Sequence, residues 1–171
     1  MASEKKQAVA VVMGSDSDMK VMKSCIEQLE NFGIEAAVRI ISAHRTPQIA
    51  AEFADKAAAS GFKVIIAAAG MAAHLAGAIA ARTTLPVIGV PIDSDSGVGG
   101  MDALLSTAQM PPGVPVATVA IGKTGAKNAA VLAVEILALS DEELGKKLAE
   151  FRVNQSKKVM EKDASVKGKR D

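Results

Sequence analysis

Hydrophobic and polar positions along the chain change period several times, and each change marks an element. Residues 8–13 are a continuous run of small and β-branched apolar side chains that stops at Gly14. Ser15, Asp16, Ser17 and Asp18 follow, and apolar positions then recur at helical spacing at Met19, Met22, Ile26 and Leu29, with Val21 and Cys25 beside them. This pattern predicts a fully buried strand, a tight turn and an amphipathic helix. Gly33 suits the position just past that helix, and residues 35–41 read as a second strand. Thr46 and Pro47 open the next helix as cap and first helical residue, with Ile49, Ala50, Phe53, Ala54 and Ala57 on its buried face. Residues 64–69 form a third strand, followed by Gly70 to His74 and an Ala-rich helix to about residue 81. Residues 86–90 and 114–121 complete the strands, with Pro115 near the start of the last, where a missing donor is tolerable.

Two regions depart from this alternation. Residues 91–113 are rich in Gly, Ser and Asp around a short helix over 102–108, and a loop of that length inside a compact domain is functional or flexible. Residues 126–139 form a helix too apolar all round to lie on a free surface. Ser140 to Glu143 read as a capping box, with Leu139 and Leu144 placed as its hydrophobic staple. The last helix, over about 140–160, carries Leu144, Leu148 and Phe151 before its apolar stripe fades, and residues 161–171 are expected to be a frayed, solvated tail. Strands alternating with helices give an α/β fold: a three-layer α/β/α arrangement around a central parallel sheet of about five strands, flavodoxin-like or Rossmann-like, plus a C-terminal helix. The expected organisation is a single domain over 1–171 with its core at about 8–139.

Composition removes several function classes. The 171 residues are 49% hydrophobic and 23% charged, ordinary for a soluble globular domain. A net charge of +1, with 2% aromatics and neither Trp nor Tyr, argues against nucleic acid as a partner. Residues 156–171 hold six Lys/Arg against three Asp/Glu and are read as a solvated end rather than a membrane or nucleic-acid patch. No apolar run approaches the ~20 residues needed to span a bilayer. Residues 1–7 lack the apolar core of a signal peptide. Cys25 is the sole cysteine, so an internal disulfide is impossible and a cytoplasmic setting is expected. Its place on the apolar face of the first helix makes it core filler rather than a nucleophile.

Three motifs fail on inspection. Gly122-Lys123-Thr124 looks like the end of a phosphate-binding P-loop, but the glycine needed five residues earlier is Ala117. No Gly-x-Gly-x-x-Gly follows the first strand, against a dinucleotide. Met22-Lys23 faintly resembles a biotinylation site but falls on a helix. Two histidines without metal-ligand spacing and no Cys pair leave no expected metal, and no cofactor is expected.

What remains converges on one edge of the sheet, because parallel strands all end on the same side. Ser15 to Asp18 leave the first strand there, Ser42 to Arg45 the second, and Gly70 to His74 the third. Ser15, Ser17 and Arg45 are suited to a phosphate, Arg through its forked geometry. Asp16 and Asp18 would repel a phosphate, so Asp18 is better matched to sugar hydroxyls. His44 is the best-placed general acid/base, set against the alternative of a solvated loop histidine. His74 opens a helix and reads more simply as satisfying nearby backbone. The residues themselves lead to a small phosphorylated-sugar ligand and proton transfer, without naming the reaction.

Gly14-Ser15-Asp16-Ser17-Asp18, Ser42-Ala43-His44-Arg45-Thr46-Pro47, Ala72-Ala73-His74-Leu75 and Gln109-Met110-Pro111 stand in the order and spacing of a known family. Over about residues 9–139 the chain resembles the class I 5-(carboxyamino)imidazole ribonucleotide mutases of de novo purine (IMP) biosynthesis. The resemblance implies movement of a carboxylate from the exocyclic nitrogen to the C4 carbon, by decarboxylation and recarboxylation, without metal or cofactor. It also implies that Ser15, Ser17 and Arg45 hold the phosphate, that Asp18 holds the ribose and that His44 shuttles the proton. Ser42 and the backbone at Gly70, Ala72 and Ala73 would line the base and carboxylate pocket. The implied assembly is a homo-octamer.

Met71 stands where the family usually has a second Gly, Ala76 stands where it has Pro, and Asp93 and Asp95 make the long loop more acidic. The related carboxylases that use free carbon dioxide carry Lys in place of Arg45 and lack Pro47, which favours the mutase. That carboxylase activity and a non-catalytic nucleotide-sensing module are the alternatives.

Overall fold

The computed structural model of the chain describes residues 7–95 and 98–167. Its strands are β1 (Val9–Met13), β2 (Ala37–Ile40), β3 (Val64–Gly70), β4 (Val87–Ile92) and β5 (Ala117–Thr118). The α-helices are α1 (Met19–Asn31), α2 (Pro47–Ala57), α3 (Leu75–Ala80), α4 (Met101–Ala108), α5 (Gly122–Ala138) and α6 (Glu142–Lys167), with a 3-10 turn at Asp16–Asp18 before α1. The chain forms two compact units, one through Ala133 and one from Val134.

The first unit contains a five-stranded parallel sheet in the order β2-β1-β3-β4-β5. This is the flavodoxin-like order, in which the connections leave β1 and β3 in opposite directions and open a crevice at their C-terminal ends. β1 and most of β3 are fully buried, as the continuous apolar runs required. Successive side chains alternate between faces. Ala10, Val12, Ile65 and Ala67 pack with Ala50, Ala54, Ala57, Leu75 and Ile79, so α2 and α3 cover one face. Thr107 of α4 belongs to this layer: a Cβ on Gly89 would lie 2.3 Å from its Cγ2, so only glycine admits that approach. Right-handed crossovers put α1 on the other face, where Met22, Cys25 and Leu29 are fully buried.

Several boundaries differ from the pattern-based expectation. The fifth strand, expected over 114–121, pairs only at Ala117 and Thr118, followed by Val119 N donating to Gly89 O at 3.1 Å. Pro115 brings no donor to the ladder, and Gly122, at φ +72°, turns the chain into α5 four residues earlier than position 126. β4 runs on through Pro91 to Ile92. Pro91 shares the parity of Gly89, whose carbonyl faces β5, so its missing N–H falls beyond the end of that short strand. Thr46 occupies the N-cap position of α2, but its hydroxyl bonds back to Ser42 instead of capping.

In the second unit, Asp141 rather than Ser140 caps α6, its Oδ1 accepting from Leu144 N at 3.1 Å. The expected staple does not form, because Leu139 is 88% exposed. Arg152 pairs with Glu135 at 2.8 Å within this unit. α6 remains helical through Lys167, past the expected fraying point, with i,i+4 support from Lys167 and Asp163. Its residues from 152 onward are exposed, as expected of a solvated end, and residues 168–171 of the expected tail lie outside those described. No helix among the described residues is long and apolar enough to cross a membrane.

Candidate active site

The C-terminal ends of β1, β2, β3 and β4 line an open cleft of about 500 Å³. β1 delivers the first wall. Gly14 N donates to Ala68 O at 3.0 Å, tying the turn to the neighbouring strand. Ser15 and Asp18 form a reciprocal cap, in which Asp18 Oδ2 accepts from Ser15 N at 3.0 Å. Ser17 Oγ donates to Ser15 Oγ at 3.0 Å, so both hydroxyls sit at the start of the 3-10 turn. Asp18 is 8% exposed. Burial pushes its carboxyl above the usual carboxylate range, opposed by the Ser15 N–H, the Ser17 hydroxyl and the Arg45 charge.

β2 delivers the second wall through a self-bonded loop. Thr46 Oγ1 accepts from Ser42 N at 3.0 Å and donates to Ser42 O at 2.9 Å. Ser42 Oγ accepts from Arg45 N at 3.1 Å and from Arg45 Nε at 3.4 Å. Arg45 Nη2 then donates to Gly14 O at 2.9 Å, which brings the guanidinium against the Ser15 turn. A smaller hollow of about 330 Å³ adjoins the cleft here, lined by Gly14, Ser15, Asp16, Ile40, Ser42, Arg45 and Thr46.

β3 delivers the floor and a second imidazole. Gly70 ends the strand, and Met71 follows at φ +54°, the one non-glycine residue with positive φ among those described. His74 occupies the N-cap position of α3 without a side-chain cap bond. Its ring instead meets His44: His44 Nε2 and His74 Nδ1 are 2.8 Å apart, with centroids at 4.9 Å and ring planes at 83°. One proton lies between the two nitrogens, so one ring donates and the other accepts. From β4, Ser94 reaches the far end of the cleft.

Of the candidates from sequence, Ser15, Ser17, Asp18, Ser42, His44, Arg45, Gly70 and Ala72 all line this cleft. Ala73 does not; it is 1% exposed and sits behind the lining. The sequence reads His74 as a backbone partner, whereas its ring contacts His44. Its signal is its place after a third strand ending at the same edge. Ser94 escapes a sequence reading because it falls inside the irregular loop. The P-loop-like Gly122-Lys123-Thr124 lies in the first turn of α5, after β5, away from the cleft lining. Cys25 is fully buried, and burial pushes its thiol up to about 12.

The chain has relatives among known proteins. The model of the family described as AIR carboxylase matches residues 8–158. An N5-carboxyaminoimidazole ribonucleotide mutase of Methanocaldococcus jannaschii is 50% identical over 159 residues, covering 93% of this chain and 97% of the relative. One of Bacillus subtilis is 52% identical over 153 residues, covering 90% and 94%. Among solved structures, Treponema denticola PurE superposes with a TM-score of 0.82 at 32% identity, covering 92% of this chain and 96% of that one.

Proposed function

The chain belongs to the AIR carboxylase family, and on that premise we propose how its cleft carries out the reaction named for its relatives. It is an isomerase of purine biosynthesis that converts 5-(carboxyamino)imidazole ribonucleotide to 4-carboxy-5-aminoimidazole ribonucleotide. The observation that carries the site assignment is the pairing of His44 with His74 beside the Ser15–Arg45 wall of a single cleft.

Arg45, with the Ser15 and Ser17 hydroxyls, takes the 5′-phosphate, which stays charged throughout. Asp18, whose Oδ2 is engaged by Ser15 N, receives ribose hydroxyls at its remaining lone pairs. Ser42, Gly70 and Ala72 line the base pocket, and Ala73 supports it from behind. His44 protonates the exocyclic nitrogen as the N–C bond to the carboxylate breaks and carbon dioxide leaves. C4 then attacks the retained carbon dioxide, and His44 takes the proton displaced from C4. The imidazole returns to its starting state, so the net change is a carboxylate moved from nitrogen to carbon. His74 holds His44 through the shared proton and sets its tautomer. Bound ribonucleotide filling the cleft would keep carbon dioxide from escaping between the two steps.

The setting is cytoplasmic and the assembly a homo-octamer, for which the apolar stretch of α5 and the Ala-rich α3 are the supporting features. Sedimentation equilibrium at micromolar protein checks the assembly, and a species of ~17 kDa alone would contradict it. The reaction is tested by following the absorbance change with carboxyaminoimidazole ribonucleotide, without ATP or added bicarbonate. Turnover under those conditions supports the mutase. Turnover only with aminoimidazole ribonucleotide plus bicarbonate would make the protein a carboxylase, and ligand binding without turnover would make it a sensor.

A further inference from the structure

Ser94 is the one described side chain with a fully buried polar atom that lacks a hydrogen-bond partner. Ser94 itself lines the reaction cleft, with its Oγ covered just beneath that lining. A buried hydroxyl without a partner loses its bonds to water and gains nothing in return, so such groups are rare in folded proteins. The fold also makes room for it. A Cβ on Gly70 would come within 3.2 Å of Ser94 Cβ, 3.4 Å of its Oγ and 3.1 Å of Ile92 O, so glycine there leaves the hydroxyl its place.

The position of Ser94 in the sheet order says which part of a ligand it meets. Arg45 follows β2 and Ser94 follows β4, three strand spacings away across β1 and β3. At about 4.8 Å per spacing that is roughly 14 Å, the order of a ribonucleotide's span from phosphate to the far edge of its base. The lining at the Ser94 end is otherwise Ala69, Gly70, Met71, Ala72 and Leu75, with His74 shared with the centre. Ser94 is the side-chain donor of an otherwise apolar end. Asp93 and Asp95 on either side of it are exposed and do not line the cleft, so they bring no carboxylate into that pocket.

We infer that the Ser94 hydroxyl, turned into the cleft by rotation about χ1, donates the hydrogen bond that holds the migrating carboxylate of the substrate and product. This rests on the ribonucleotide reading above and assigns the far end of the same cleft. A single neutral donor in an apolar pocket suits a group that alternates between a charged carboxylate and uncharged carbon dioxide.

The test is calorimetric binding of two probes to the full chain: 4-carboxy-5-aminoimidazole ribonucleotide and 5-aminoimidazole ribonucleotide, which lacks the carboxylate. Ser94→Ala should weaken the carboxylated probe by about 10- to 100-fold, the range for a hydrogen bond to a charged acceptor, and the other probe less than about twofold. Its melting temperature should be unchanged or higher, because a partnerless hydroxyl is removed. Ser94→Cys, of similar size and a weak donor, should fall between wild type and alanine. Equal weakening of both probes, no weakening of either, or a loss of melting temperature would overturn the inference. If wild type binds neither probe, the ribonucleotide reading itself fails and the inference with it. If wild type binds both and Ser94→Ala is indistinguishable from it, only the role of Ser94 fails.

Discussion

His44 Nε2 stands 2.8 Å from His74 Nδ1, and the two rings reach that contact from the ends of different strands, 30 residues apart in sequence. In that contact one ring nitrogen donates and the other accepts, which orients the His44 ring. His74→Ala should therefore leave product affinity within about tenfold. It should lower kcat by ~10-fold or more, since His44 would lose the partner that orients its ring. His74→Asn, which keeps a hydrogen-bonding group at the site, should recover part of kcat. An unaltered kcat in both variants would show that His74 only fills space.

Arg45 is held by Ser42 Oγ and Gly14 O against the Ser15 turn. If it binds a phosphate that remains charged through the reaction, Arg45→Ala should act on affinity. KM should rise by ~10-fold or more with kcat little changed, as measured by steady-state kinetics. A fall confined to kcat would remove Arg45 from the phosphate site.

Asp18 carries a carboxyl held at a thermodynamic disadvantage by burial. Its carboxyl is raised from the ordinary 3.8 chiefly by burial. A folded-state pKa above the unfolded one means that the native state binds more protons in the interval between them. The contribution of Asp18 to stability is thus fully present below the unfolded value and is lost as pH rises through the folded one. Asp18→Asn keeps an acceptor for Ser15 N and does not titrate. Urea unfolding of both proteins from pH 3.5 to 7 should show the variant gaining stability relative to wild type as pH rises. The opposite trend would mean that the carboxylate is better solvated than its burial implies.

Met71 sits at φ +54° with 59% of its surface exposed, on the lining of the cleft. A left-handed backbone disfavours a side chain, whereas glycine takes it readily but loses more freedom on folding. The two effects offset to within about 1 kcal/mol, so Met71→Gly should fold with stability close to wild type and turn over as fast or faster. Met71→Ala keeps the strain and removes the bulk, which separates the two effects. Loss of activity in a folded Met71→Gly protein would give the thioether a role in the reaction.

The fold was legible wherever one local pattern decided it. The apolar run ending at Gly14 is a buried central strand, and Gly14 to Asp18 is the turn that opens the cleft. Legibility failed where tertiary context decided. β5 pairs with β4 only at Ala117 and Thr118, although β4 itself runs on to Ile92. The shift of the α6 cap from Ser140 to Asp141 moves one residue between two adjacent candidates of the same chemistry. In the site, Ser15, Ser17, Asp18, Ser42, His44 and Arg45 were accessible because each follows a strand that ends on one edge. His74 and Ser94 were harder for a common reason. A histidine that meets another ring, or a serine that meets nothing, is identified by what surrounds it in space.

The most direct test of the account is steady-state turnover of His44→Asn, alongside calorimetric binding of the product ribonucleotide. Asparagine keeps a polar group facing His74 but cannot carry the proton. The account predicts product affinity within about tenfold of wild type and a kcat lower by ~10²–10⁴. Near-normal turnover, or a loss confined to affinity, would contradict the assignment of His44 as the proton shuttle.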